Sequence, residues 1–217
     1  MLFVDCSDPQ EVRAIFSWGV VCGTTTNPML LAREGARDVE GRVRELCAAS
    51  EGPLSVQVLS TEYGAMIDEA RTLQAIDPNR IVVKLPFSEA GLMAARTLSK
   101  HGADVNVTAC MSFQQAYLAA LAGAKYVSIF WGRVRDMGYD AGAVVRDVRT
   151  MLDRESLPAQ IIAGSMRQAI DVNEALLAGA HVVTVTPPIL RKMLNHPKTE
   201  ETLREFSEAW ATRDKSR

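Results

Sequence analysis

Arg80-Ile81-Val82-Val83-Lys84-Leu85-Pro86 decides how the rest of the chain is read. Residues 81–84 are branched, apolar and few, the signature of a parallel strand buried on both faces. Lys84 ends that run, and Pro86, with no N–H to give, is expected to break the ladder. A buried ammonium is costly unless it is paired or neutral. Lys84 is then one of two things. It lays its stem on the fold with its head in water, the ordinary expectation for a strand-end lysine. Or it is a desolvated amine whose lowered pKa frees a lone pair to attack a carbonyl. The other strands decide between them.

Working outward, 54–58 reads as the preceding strand and 104–108 as the following one. Further strands are expected at 1–5, 20–23, 126–129, 159–163 and 182–185. Apolar helical periodicity fills the intervals, with a polar loop expected at 130–138 and a last amphipathic helix at 198–212. Strand and helix alternate eight times with no linker or break in composition. This predicts a (β/α)8 TIM barrel, an α/β fold in one domain over 1–217 with an extra C-terminal helix. A doubly wound open sheet calls for a glycine-rich phosphate loop after the first strand, and Asp5-Cys6-Ser7-Asp8 is not one.

Barrel enzymes keep their chemistry at the C-terminal ends of the strands. Seven of the eight strand ends here carry or lead to polar side chains: Asp5, Thr25-Thr26-Asn27, Gln57, Lys84, Asn106 with Thr108, Phe130 with Arg133, and Ser165 with Arg167. Side chains repeat every second residue along a strand. Asn106 and Thr108 therefore share a face, as do Phe3 and Asp5, and Ser55 and Gln57. Each polar residue alone has a plain structural use. Asp5 or Thr108 can cap a helix, Asn27 can order the turn before Pro28, and Gln57 can satisfy a backbone group. An acid, amides, a hydroxyl and a lysine converging on one barrel mouth point instead to a reactive site.

The 217 residues are nearly half hydrophobic with a net charge of −2, so composition gives no reason to expect nucleic acid or an anionic membrane as partner. Asp5 comes too early for a signal peptide, and no apolar run reaches the length of a membrane span. Cys6, Cys22, Cys47 and Cys110 stand singly and read as reduced thiols of a cytoplasmic protein. His101, His181 and His196 make no zinc pattern, and no metal is expected.

Thr25-Thr26-Asn27-Pro28, Val82-Val83-Lys84-Leu85-Pro86, Asn106-Val107-Thr108, 122–128, Phe130-Trp131-Gly132-Arg133 and Ser165-Met166-Arg167 together resemble the class I transaldolases. Their order is most similar to the short bacterial transaldolases and the related fructose-6-phosphate aldolases, over nearly the whole chain. The resemblance implies a TIM barrel that moves a dihydroxyacetone unit from fructose 6-phosphate or sedoheptulose 7-phosphate to an aldose phosphate, without metal or organic cofactor. It implies Lys84 as Schiff-base lysine and Asp5 as the acid–base at the C4 hydroxyl. Thr108 and Gln57 would hold the water that relays protons. Asn27 and Asn106 would bind donor hydroxyls, with Thr26 and Phe130 also at the substrate. Arg133, Ser165 and Arg167 would hold the phosphate, a group that suits bidentate guanidinium. These arginines, with burial, are expected to depress the Lys84 pKa. The resemblance also implies a homo-oligomer, pentamer or decamer, with the C-terminal helix on a neighbour; Leu203, Phe206, Ala209 and Trp210 would suit either that or the chain's own barrel.

Three residues depart from the common pattern. Gln57 stands where many transaldolases carry glutamate, and resembles the aldolases. Phe130 stands where those aldolases carry tyrosine, and resembles the transaldolases. Arg135 replaces an acid in the usual Arg-x-Asp-Asp. An aldolase-like lyase, or a transaldolase with a longer acceptor such as ribose 5-phosphate, are the alternatives that these leave open.

Overall fold

The computed structural model describes residues 1–213. Eight parallel strands close into a barrel in sequence order: β1 (Leu2–Asp5), β2 (Thr24–Thr25), β3 (Leu54–Gln57), β4 (Ile81–Pro86), β5 (Val105–Cys110), β6 (Tyr126–Phe130), β7 (Gln160–Gly164) and β8 (Val182–Val185). β8 pairs with β1, so no strand edge is left open. Helices alternate with them: α1 (Pro9–Phe16), α2 (Pro28–Arg33), α3 (Val39–Ala49), α4 (Tyr63–Gln74), α5 (Glu89–Lys100), α6 (Phe113–Leu121), α7 (Trp131–Asp136), α8 (Ala141–Arg154), α9 (Ala169–Leu177), α10 (Pro187–Leu194) and the terminal α11 (Pro197–Thr212). The fold is the (β/α)8 barrel expected from the alternation.

Helix boundaries follow local chemistry. Asp8, Asn27, Asp38, Ser88, Ser112 and Asp140 each accept a backbone N–H of the first helical turn. Along α8, Ala141, Val145, Val148 and Leu152 recur on one side and are buried against the sheet. Most of the core lies in this layer between strands and helices.

Three sequence readings shift. The second strand is the threonine pair Thr24–Thr25, not 20–23; its expected residues lead in, and Cys22 N and Gly23 O already bond to β1. Pro86 does not break the ladder, because it is the last residue of β4 and pairs with Thr108 at the rim, where an absent N–H costs little. The segment expected as a loop at 130–138 contains α7, whose Trp131 and Val134 are buried. That short helix carries two arginines and two apolar residues in six positions, too few for a periodicity to register.

The C-terminal helix lies where expected and leaves its apolar face open. None of its residues is buried, and Leu203, Phe206 and Trp210 are exposed. No helix among the described residues is long and apolar enough to cross a membrane.

Candidate active site

The barrel interior is built in layers, because alternate residues of every strand point inward. At the lower level Phe3, Val82, Tyr126, Ile162 and Val182 pack as a buried cluster separate from the main core. The rings of Phe3 and Tyr126 meet edge to face, with centroids 6.3 Å apart. Gly23 makes room for them: a Cβ there would stand 2.6 Å from the Phe3 ring. Two residues further along the same strands the chemistry reverses. Phe3 gives way to Asp5, Val82 to Lys84, Tyr126 to Ser128 and Val182 to Thr184.

This upper level is polar and hydrogen-bonded across strands. Thr25 Oγ1 donates to Asp5 Oδ1 at 2.8 Å and lies 2.7 Å from Thr184 Oγ1. Ser128 Oγ donates to Asn106 Oδ1 at 2.7 Å, and Asn106 Nδ2 donates to Ser55 Oγ at 3.3 Å. Lys84 is only 5 % exposed, which excludes the solvated-stem alternative. Its Nζ donates to the carbonyl of Thr26 at 2.9 Å. Burial holds the Lys84 pKa below that of an ordinary lysine, with the charge of Asp5 pulling the other way. Burial likewise raises the Asp5 carboxyl, against the opposing pull of Lys84 and the Thr25 hydrogen bond. The expected help from the arginines is not among the causes for Lys84; desolvation suffices.

Above this level opens a cavity of about 360 Å³. Its lining includes Asp5, Lys84, Gln57, Thr108, Asn27, Phe130, Arg133 and Ser165, so eight residues singled out in the sequence meet in one place. Gln57 stands in register with Lys84 on the adjacent strand. Thr108 Oγ1 is buried and has no hydrogen-bond partner among the described residues, which leaves a hydroxyl free for a reactant or a water. Asn27 does cap α2, through Oδ1 and the Leu30 N–H, and still faces the cavity.

The other three residues lie beside the cavity rather than on its wall. Thr26 turns its hydroxyl to the Ser55 carbonyl and offers Lys84 its own carbonyl. Asn106 is wholly buried, its amide held by Ser55 and Ser128. Arg167 pairs with Asp136 at 2.8 Å. Arg135, the unusual residue of α7, points away to Asp171 and Glu174 of α9 at 2.7 and 3.0 Å. The buried Asp171 also accepts the N–H groups of Arg167 and Gln168. Arg135 thus ties α7 to the loop that carries Ser165 and Arg167. The two segments touch directly at Gly132, where any Cβ would collide with the Ser165 carbonyl.

Several contributors were not read from the sequence. Ser128 and Thr184 sit within apolar strands and gave no signal beyond the inward parity they share with Tyr126 and Val182. Thr184 supplies a polar end for the eighth strand, which had seemed to lack one. Ala109 and Ser165 adopt φ of 62° and 60°, strained for residues with a Cβ, and both line the cavity. Ala109 belongs to an irregularity in β5 between Val107 and Cys110, which no residue type announces. A second, wider depression of about 880 Å³ adjoins the first and shares Arg133 with it.

A closed barrel with a buried lysine and a partly buried carboxylate at its mouth defines a class of enzyme suited to amine and proton-transfer chemistry on a small polar substrate. Within that class the chain belongs to the transaldolase/fructose-6-phosphate aldolase family, whose model matches residues 2–216. It is 42 % identical over 209 residues to a probable transaldolase of Pelotomaculum thermopropionicum, covering 96 % of each chain. It is 45 % identical over 210 residues to one of Desulforudis audaxviator, covering 97 % of each, and 42 % identical over 217 residues to one of Thermus thermophilus, covering 96 % of this chain and 97 % of the relative. The protein is a transaldolase-type enzyme.

Proposed function

We propose that this enzyme transfers a dihydroxyacetone unit from fructose 6-phosphate or sedoheptulose 7-phosphate to an aldose phosphate through a Schiff base on Lys84. The observation that carries this reading is Lys84 itself, desolvated, with its amine pKa lowered and Asp5 facing it. The neutral amine attacks the ketose carbonyl, and loss of water gives an iminium. Asp5 then takes the C4 hydroxyl proton while the C3–C4 bond breaks, and the electrons of that bond enter the iminium to give an enamine. An aldose phosphate leaves. The enamine attacks the incoming aldehyde, Asp5 returns a proton to the new hydroxyl, and hydrolysis frees Lys84. Gln57 and the unpartnered Thr108 hydroxyl hold the water exchanged at imine formation and hydrolysis.

Asn27 meets donor hydroxyls at the cavity wall, with Asn106 setting the layer beneath. Arg133 and Ser165 receive the substrate phosphate, and Arg167 joins them by exchanging Asp136 for it. Phe130 excludes water from the enamine. The exposed apolar residues of α11 fit a homo-oligomer, and light scattering showing a monomer would refute that part. The site is taken to work in the cytoplasm on free phosphosugars.

Borohydride reduction in the presence of fructose 6-phosphate tests the reading. It should fix a three-carbon adduct on Lys84, seen by peptide mass spectrometry; a Lys84 left unmodified under turnover conditions sinks it. Gln57, the residue by which the chain resembles the fructose-6-phosphate aldolases and a lining residue of the cavity, favours a second reading, a lyase that releases free dihydroxyacetone. Sugar cleavage that proceeds at full rate without an aldehyde acceptor selects the lyase. A panel of phosphorylated aldoses, read by product mass, identifies the acceptor, ribose 5-phosphate among them.

A further inference from the structure

Thr25 and Thr184 are 2 % and 6 % exposed, so bulk water substitutes for neither of the bonds that join Thr184, Thr25 and Asp5. An ionised carboxylate can only accept, and a threonine hydroxyl has one proton. With Asp5 ionised, the Thr25 proton is committed to Asp5 Oδ1. The 2.7 Å contact between the two threonines then requires Thr184 to donate. The result is a chain of fixed polarity, from β8 through β2 to the carboxylate on the strand between them. Each bond polarises the next, so donation by Thr184 makes Thr25 a stronger donor.

We propose that Thr184 is a positioning residue for Asp5. Its donated hydrogen bond fixes the rotor of Thr25, which occupies Oδ1 and leaves Oδ2 as the oxygen that exchanges the proton with substrate. The inference rests on the reading of Asp5 as acid–base given above. The groups that face Asp5 are few. β2 and β8 present the two hydroxyls, and Lys84 of β4 is the nearest charge. Arg133 of α7 lines the same cavity. On the outer side of β1, Glu11 of α1 and Arg191 of α10 are paired with each other.

The sign of the pH effect follows. Without the bond from Thr184, Thr25 donates less strongly to Asp5, and a weakened donor disfavours the charged carboxylate and raises its pKa. The acid limb of the rate profile, where Asp5 must be ionised to accept a proton, then moves to higher pH. In Thr184→Val, which removes the hydroxyl at nearly constant size, that limb should rise by about half a unit to one unit, with kcat down about tenfold and KM little changed. Thr184→Ser should restore both. Thr25→Val, which deletes the intermediate bond, should move the limb at least as far and decides the question should Thr184→Val not fold. An acid limb unmoved in either valine variant, or a serine variant as impaired as the valine one, overturns the proposal. Borohydride trapping of dihydroxyacetone on wild-type Lys84 keeps two failures apart: no trapping defeats the Schiff-base reading, whereas trapping with an unmoved limb defeats this inference alone.

Discussion

The lower and upper levels of the barrel interior share the same strands and differ in almost everything else. Phe3, Val82, Tyr126, Ile162 and Val182 exclude water by packing. Asp5, Thr25, Lys84, Asn106, Ser128 and Thr184, one inward step further on, are polar; Asp5, Thr25 and Thr184 form one hydrogen-bonded group, Ser128 and Asn106 with Ser55 another, and Lys84 donates to the Thr26 carbonyl. The polar level is costly to bury, and the apolar level gives it no partners. What the lower level supplies is a dry floor. With water kept out from below, Lys84 loses solvation and its proton is held less tightly. The cross-strand hydrogen bonds meanwhile leave few buried polar atoms unsatisfied, and one that is left, the Thr108 hydroxyl, faces the cavity. Reactivity at one level is made by packing at the other.

Removing the amine breaks the contrast most severely. Lys84→Met should lower transfer activity by roughly 10⁴-fold or more, the scale seen when a covalent nucleophile is deleted, and abolish borohydride trapping. Its stability should move the other way. Lys84 binds its proton more weakly folded than unfolded, so the unfolded state holds more protons between the lowered folded value and the ordinary 10.5, and stability rises with pH across that window. Urea unfolding at neutral and alkaline pH should show this rise in the wild type and its loss in Lys84→Met.

Phe3→Ala attacks the floor instead. Opening a void under the polar level should cost about 3–5 kcal/mol by denaturant unfolding and let water approach Lys84. The pH above which borohydride traps the ketose on Lys84 should then move upwards, because a better solvated amine holds its proton more tightly. A stability loss with an unchanged trapping profile would separate packing from desolvation.

Phe130→Tyr sharpens the comparison at the rim. A phenol in place of the phenyl ring helps to protonate the enamine, so acceptor-free cleavage should rise several-fold while transfer is maintained or falls; measuring free dihydroxyacetone with and without an aldehyde checks this. Arg135→Ala is the mildest. Its half-exposed ion pair contributes about 1 kcal/mol or less to stability, and its loss should show as a few-fold higher KM for phosphorylated substrates with kcat retained, since Arg135 steadies the loop that carries Ser165 and Arg167.

The strand parity of Asp5, Gln57, Lys84 and Thr108 was legible because inward residues recur at period two, and the cavity does gather all four. The threonine pair of β2 was misplaced because two residues carry no period, and Val20-Val21 next to them are the better strand formers. Asn106 and Thr26 read as wall residues, yet Asn106 bonds both ends of its amide and Thr26 its hydroxyl within the protein. Arg135 stood out in the sequence as a disturbance of the site, and its contacts turn it towards α9 instead.

The sequence by itself determined the eightfold alternation, the closed barrel it demands, the lysine strand and the set of polar strand ends. These depend on local periodicity and on side-chain chemistry, both of which a linear chain carries. Only the tertiary structure decided that Lys84 is dry, that Thr184 and Thr25 converge on Asp5, and that Ser165 and Ala109 are held strained at the rim. Those are properties of residues far apart in the chain and adjacent in space, where burial and hydrogen-bond polarity are set by neighbours that no single segment contains.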